Sequence, residues 1–305
     1  MSQGALPRIG GFSLAAKLRD LFLLTKPRVT LMVLWTALGG AWLAPGPKGL
    51  RTIGFLLGTA LIVGSANAMN CWLEREIDAK MERTRNRPLA AGRLGAGTAL
   101  IWALVLGVGA LPLLYFFGNG LALGLGLAAW LIYVAIYTPM KRVSPLALFV
   151  GAVPGAMPPL MGWTAQGGGL QGGGLVLFST LFFWQLPHFL AIAVMREEEY
   201  RAAGLRIVPT HFGLLRIQSV AWSLALLVTS IVLIPLGLGG PVYACLAFGG
   251  GVALLLACAQ PLEEGDVERA VKEWGRRVFK VSLLYLPALF GGVGVEAALQ
   301  RLLLF

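Results

Sequence analysis

Nine apolar runs divide this chain, at about 28–45, 52–74, 97–117, 120–138, 144–164, 174–195, 215–236, 240–258 and 279–303. Each is about long enough to cross the roughly 30 Å of hydrocarbon in a bilayer as a helix. The predicted fold is therefore all-α: a polytopic membrane helical bundle of nine transmembrane helices. Composition points the same way. The chain is 57% hydrophobic and 13% charged, where soluble proteins have about 25% charged residues.

The charges between the runs fall on one side. Arg8, Lys17, Arg19, Lys26 and Arg28 lie in or at the edge of an N-terminal arm, 1–26. Arg75, Lys80, Arg83, Arg85, Arg87 and Arg93 follow the second run. Lys141 and Arg142 follow the fourth, Arg196, Arg201, Arg206 and Arg216 the sixth, and Arg269, Lys272, Arg276, Arg277 and Lys280 the eighth. These are 22 of the 25 basic residues; Lys48, Arg51 and Arg301 fall opposite. The positive-inside rule then places the N-terminus in the cytoplasm and the C-terminus outside. Twelve of the 14 acids, including Glu263 and Glu264, share the cytoplasmic side, so chemistry is expected there. The net charge of +11 follows membrane sidedness, and no nucleic-acid partner is expected.

The outside loops are short and nearly uncharged, and the glycine-rich stretch 166–174 reads as a flexible connector. Nothing marks a second domain, so 1–305 is read as one membrane domain behind its arm. Cys71, Cys245 and Cys258 lack metal-binding spacing and read as small buried hydrophobes. Gly120-xxx-Gly124 and Gly151-xxx-Gly155 would permit close helix packing.

Three constellations carry chemistry. Asn70, Glu74 and Asp78 are four residues apart and share a helix face at the end of the second run. Oxygen ligands suit Mg²⁺, and Mg²⁺ beside Lys80, Arg83 and Arg87 suits a diphosphate. In the sixth run, Gln185 and His188 are polar groups in an apolar helix and need partners, and Pro187 would bend the helix or open its backbone. Glu197 to Glu199 follow, as a solvated charge run or a second metal-binding edge. Lys141 and Arg142 are the only charges of their loop, as topology determinants or as a diphosphate clamp.

These stretches together resemble the UbiA superfamily of intramembrane prenyltransferases. The resemblance runs from about residue 20 to 290. It is carried by Leu24-Thr25-Lys26-Pro27-Arg28, by Asn70 to Leu89, and by Tyr137-Thr138-Pro139 with Lys141-Arg142. Gly155-Ala156-Met157-Pro158-Pro159, Trp184-Gln185-Leu186-Pro187-His188-Phe189 and Tyr200-Arg201-Ala202-Ala203-Gly204 narrow it to the haem-prenylating branch.

That resemblance implies farnesyl diphosphate and haem b as substrates, with farnesyl transfer to a haem vinyl group and water addition giving haem O and diphosphate. It implies Mg²⁺ as cofactor, held by Asn70, Glu74, Asp78 and Glu199. Lys80, Arg83, Arg87, Lys141 and Arg142 would bind the diphosphate, and His188 and Gln185 would hold or orient haem. A haem A synthase or a terminal oxidase assembly would be a partner, beside the lipid bilayer. The absence of a transit-like N-terminus favours a bacterial inner membrane. The chain departs from the pattern at Glu74, where the family has Asp. It departs again at Glu199, where the haem branch keeps Asp before Tyr, while Met195 and Ala203 cannot be ligands. His211 stands where a small apolar residue is usual and is read as incidental. Prenylation of a hydroxybenzoate or quinone precursor is the runner-up. A transporter would instead place charges near the bilayer midplane.

Overall fold

A computed structural model describes residues 13–206, 212–262 and 266–303. Arg8, His211, Glu263 and Glu264 lie outside the described residues. Every described element is helical. In chain order they are α1 (Leu14–Leu24), α2 (Pro27–Leu43), α3 (Leu50–Leu73), α4 (Arg75–Asp78), α5 (Ala96–Leu113), α6 (Gly120–Leu131), α7 (Thr138–Met140), α8 (Ala147–Ala165), α9 (Gly173–Met195), α10 (Glu197–Ala202), α11 (Phe212–Ile231), α12 (Pro241–Ala259) and α13 (Val267–Leu303). π-helical turns extend α5 through Leu114–Gly118 and join α6 to α7 through Ile132–Tyr137.

Each apolar run folds as a helix. Among the described residues seven helices are long and apolar enough to cross a membrane, or eight when α1 and α2, bent by 49°, count as one span. The remaining run is α8, whose hydropathy is diluted by Pro154, Pro158, Pro159 and three glycines. It lies between α2, α6 and α9 rather than at the rim. The rims are apolar: Ile101, Val105 and Val108 of α5 are exposed, as lipid-facing side chains are. The chain is an integral membrane protein.

α8 and α9 form the seam of the bundle. α2, α3, α5 and α6 gather on the α8 side, and α11, α12 and α13 on the α9 side. Apolar lipid offers helices little reason to associate, so packing must come from close backbone approach. Gly40 and Gly162 supply it. A Cβ at Gly40 would overlap the Pro159 carbonyl, and one at Gly162 would overlap the Ala37 carbonyl. Gly151 similarly admits the Tyr137 ring and Gly155 admits the Gln185 side chain. The Gly120-xxx-Gly124 spacing does not pack: a Cβ at either glycine meets nothing within 4 Å.

Several details differ from the sequence reading. The second half of the N-terminal arm is α1, docked by a forked Arg93–Asp20 pair (3.0 and 3.1 Å) and by Trp102 Nε1 donating to Leu21 O at 3.1 Å. The loop after α8 is not a free connector at its start. Gln166 is buried, donates to Thr52 Oγ1 at 3.1 Å, and accepts from Gly46 N at 2.8 Å. Cys71 and Cys258 are buried but Cys245 is exposed, because burial in hydrocarbon does not require burial in protein. Pro187 stays inside a continuous α9.

The helix seam yields a test. Gly162→Ala should cost about 1–3 kcal/mol, as overpacking does, whereas Gly124→Ala should be neutral or slightly stabilising. Thermal unfolding in detergent reads both; equal melting temperatures for the two variants would contradict the α2–α8 contact.

Candidate active site

α3 runs through the packed interior, so its C-terminal end brings polar groups into a buried setting. Asn70, Glu74 and Asp78 are 1%, 5% and 1% exposed. α3 ends at Leu73 and α4 starts at Arg75, yet the spacing survives. Glu74 N donates to Asn70 O at 2.9 Å and Asp78 N to Glu74 O at 2.7 Å.

Asn70 is the hub. Its Oδ1 accepts from Lys26 Nζ at 2.7 Å, and its Nδ2 donates to Glu74 Oε2 at 2.9 Å and Thr138 Oγ1 at 3.1 Å. The amide orientation is dictated, because an ammonium can only donate and a carboxylate can only accept. Glu74 Oε1 pairs with Lys141 Nζ, whose charge also lies 4.9 Å from the Tyr137 ring centre. Burial alone would push the Glu74 carboxyl up. Lys141, Lys26 and Asn70 together outweigh it and hold the carboxyl below its ordinary value, so Glu74 is a carboxylate at neutral pH.

Asp78 takes a partner of its own. Arg87 Nη1 reaches both its oxygens, at 2.9 and 2.7 Å. Burial disfavours the guanidinium charge, but Asp78 more than offsets this and raises the Arg87 pKa. Thr84 Oγ1 donates to Asp78 O at 2.9 Å and closes the turn.

Three loops are stitched around this centre. Arg83 N donates to Glu199 Oε1 at 3.0 Å, Arg206 N to Lys141 O at 2.9 Å, and Arg142 Nη2 to Leu73 O at 3.1 Å. An apolar pad of Ile77, Met81, Ala147, Tyr200, Ala203 and Leu205 lies among them. α9 runs into short α10 much as α3 runs into short α4. Lys80 and the Arg83 and Arg142 side chains sit at the exposed mouth. The π turn Ile132–Tyr137 precedes Pro139, which has no N–H to give. It carries Thr138, whose hydroxyl donates to Tyr133 O at 2.8 Å, to Asn70.

Gln185 and His188 stand apart from this cluster, on α9. Gln185 Nε2 donates to Ala152 O at 3.1 Å and Leu181 O at 3.0 Å. It thereby straps α9 to α8. His188 faces α13, where its Nδ1 lies 2.9 Å from Ser282 Oγ.

Sequence reasoning counted Lys26 among the topology charges and in a stretch that carries the resemblance, but gave it no role in the site. The structure makes it part of the site. It is the only non-glycine residue with positive φ (50°) among the described residues. A residue before proline favours extended backbone, and holding it in the left-handed region costs on the order of 1–3 kcal/mol. The break is secured by Thr25 O, which accepts from Asn67 Nδ2 at 3.1 Å and Thr30 Oγ1 at 2.8 Å. The signal available in sequence was a lysine before Pro27, at the start of an apolar run.

The donor set suits a hard cation. Asn70, Glu74, Asp78 and Glu199 each carry side-chain oxygens, and Glu199 Oε2 is buried, accepts no hydrogen bond and lies 3.6 Å from Arg196 Nη1. Among the described residues no three or more His, Cys, Asp or Glu side chains are grouped so that they could hold a metal ion by themselves. Mg²⁺ is commonly held by one or two carboxylates together with substrate phosphates rather than by an all-protein cage. The residues present therefore fit Mg²⁺ arriving with a phosphorylated substrate.

An apolar helical bundle with buried carboxylates and cations at one end suits an intramembrane enzyme. The model of the UbiA prenyltransferase family matches residues 33–284. The protoheme IX farnesyltransferase of Anaeromyxobacter dehalogenans (strain 2CP-C) is 47% identical over 278 residues, covering 90% of this chain and 92% of that protein. That of Myxococcus xanthus (strain DK1622) is 44% identical over 287 residues, covering 93% and 96%. The chain belongs to the UbiA prenyltransferase family and is a prenyltransferase. The fold is similar to that of digeranylgeranylglyceryl phosphate synthase, with a TM-score of 0.75 at 16% identity over 91% of this chain and 98% of that one. It is also similar to a UbiA homologue from Archaeoglobus fulgidus bound to DMAPP and Mg²⁺, with a TM-score of 0.65 at 15% identity over 90% and 99%.

The Asp78–Arg87 pair makes a measurable statement. Arg87→Met should destabilise by about 3–5 kcal/mol, because it leaves Asp78 buried and unpaired. The double variant Asp78→Asn, Arg87→Met should recover much of that loss. Unfolding midpoints of the two proteins in detergent check it; a double variant no more stable than the single one would show the pair to be energetically idle.

Proposed function

We propose that this prenyltransferase moves the farnesyl group of farnesyl diphosphate to a vinyl group of haem b, with addition of water, giving haem O and diphosphate. The observation that carries the diphosphate half is the buried Asn70–Glu74 pair, flanked by Lys26 and Lys141 at the cytoplasmic end of α3. The haem half is supported by the names of the relatives and by the Trp-Gln-Leu-Pro-His stretch, in which His188 is buried yet not sealed.

Asn70, Glu74, Asp78 and Glu199 hold Mg²⁺ in this reading. Mg²⁺, when bound, supplies Lewis-acid neutralisation of diphosphate charge. Lys141 and Arg87 balance the carboxylates while substrate is absent, and Lys26, Lys80, Arg83, Arg87, Lys141 and Arg142 donate to diphosphate oxygens as the C–O bond breaks. The bond's electron pair leaves with diphosphate. The apolar walls keep water from the allylic cation until the vinyl carbon attacks it. Water then adds at the neighbouring carbon and loses a proton, which completes the hydroxyethylfarnesyl group. His188 receives haem, and Gln185 orients it indirectly by fixing α8 against α9.

Around this chemistry we place nine spans, with α8 as the one enclosed by its neighbours, the N-terminus in the cytoplasm and the C-terminus outside. The membrane is a bacterial inner membrane and the site opens to the cytoplasm. Haem O then passes to haem A synthesis or to an oxidase assembly. Reporter fusions at the two ends should give opposite sidedness; matching sidedness would remove the odd span count.

Purified protein in detergent with haem b, farnesyl diphosphate and Mg²⁺ should yield haem O by mass spectrometry of extracted haem. Asp78→Ala, or metal removal, should lower turnover by at least about 100-fold, the scale of losing a group that stabilises developing charge. A prenylated phenolic acceptor with no haem O would overturn the haem assignment. His188→Ala with normal haem affinity and turnover would remove His188 from the reaction.

A further inference from the structure

A serine hydroxyl has one proton to give. That of Ser282, on α13, goes to Phe279 O, 2.8 Å away and one turn back. With the proton spent there, the 2.9 Å contact between Ser282 Oγ and His188 Nδ1 takes its proton from the ring. Nδ1 carries the hydrogen, and Nε2 carries the lone pair.

The ring is also fixed in plane. Trp184 stacks on it at 4.7 Å and 21°, and Phe279 at 5.0 Å and 26°. Trp184 is itself anchored, because its Nε1 donates to Ser282 O at 2.8 Å. Ser282 thus ties down the imidazole through its hydroxyl and the stacking indole through its carbonyl. Nε2 has no hydrogen-bond partner among the described residues, and it is not one of the sealed, unpaired polar atoms of the interior. A histidine needed only for packing would gain by pairing both nitrogens. This one has one nitrogen held by an acceptor and the other left open, the arrangement of imidazoles that present a lone pair to a metal.

We propose that Ser282 is a positioning residue that locks His188 in the Nδ1–H tautomer, so that Nε2 offers its lone pair to the haem acceptor. This rests on the reading of His188 as the residue that receives haem. The chain has two histidines. His211→Gln in the full-length protein therefore leaves His188 alone in a ¹⁵N-histidine NMR spectrum recorded in detergent. Nδ1–H is expected in that spectrum. Ser282→Ala should lose the preference and raise the KM for haem b on the order of 10-fold, the scale of removing a ligand's supporting hydrogen bond. The KM for farnesyl diphosphate should stay where it is, and Ser282→Thr should restore both the tautomer and the haem KM. An Nε2–H ring in the otherwise unaltered protein overturns the Ser282 proposal alone, whatever the variants do. An unchanged tautomer and haem KM in Ser282→Ala overturns it as well. A His188→Ala enzyme that binds and converts haem normally overturns the haem reading, and with it the purpose assigned to Ser282.

Discussion

The buried contact between Lys141 and Glu74 is the constraint around which the polar end of this bundle is arranged. Taking either charge out of water alone would cost several kcal/mol, so neither can sit there without the other. Lys141 comes from the loop after α7 and Glu74 from the end of α3. Their pairing needs Thr138 beside Asn70, and Asn70 in turn meets Lys26 from the α1–α2 break. Three separate chain segments are registered by one network of opposite charges and an amide. Such networks bind firmly when every member is satisfied and are costly when one is missing.

The rest of the bundle supplies the conditions for that network. α3 can carry Asn67, Asn70 and Glu74 into the interior because α5 and α2 cover it. α2 can lie against α8 because Gly40 and Gly162 let the backbones meet. A cation site built only from loops would be hydrated and its charges screened. Set at the end of packed helices, the same charges act across a medium that screens them less. The diphosphate leaving group of the proposed reaction would benefit from that setting, since donors already in place need no reorganisation as charge develops.

Much of this was legible in sequence, and the parts that were not share a cause. Helix positions follow from apolar runs, because lipid imposes a length and a polarity on each span. The Asn70–Glu74 spacing follows from helix periodicity, and one-sided charge brings Lys141 and Glu199 to the same face. Lys26 was hidden because its role depends on a backbone conformation that residues before proline seldom adopt. α1 was hidden because a polar arm shows no long apolar run. The pinned start of the loop after α8 was hidden because glycine-rich composition looks the same whether a loop is free or folded onto Trp163. Spacing predicts which residues share a face, but not which partner each one meets.

Gln185 and His188 show the limit most clearly. In sequence they are equivalent: two polar side chains, three residues apart, in the same apolar helix. In the structure their faces diverge. The Gln185 amide gives both hydrogens to carbonyls of the protein and packs into the space left by Gly155. That satisfies a buried donor and ties two helices together without a ligand. His188 meets a single hydroxyl and two aromatic faces and keeps one nitrogen unengaged among the described residues. A polar group in an apolar span must be accounted for, but the account can be structural for one residue and chemical for the next. What separates them is the neighbour: the Gln185 amide is spent on carbonyls of α8 and α9, while the His188 ring is held by α13 through one nitrogen. Gln185 thus serves the scaffold directly, and His188 is left for the haem role proposed above.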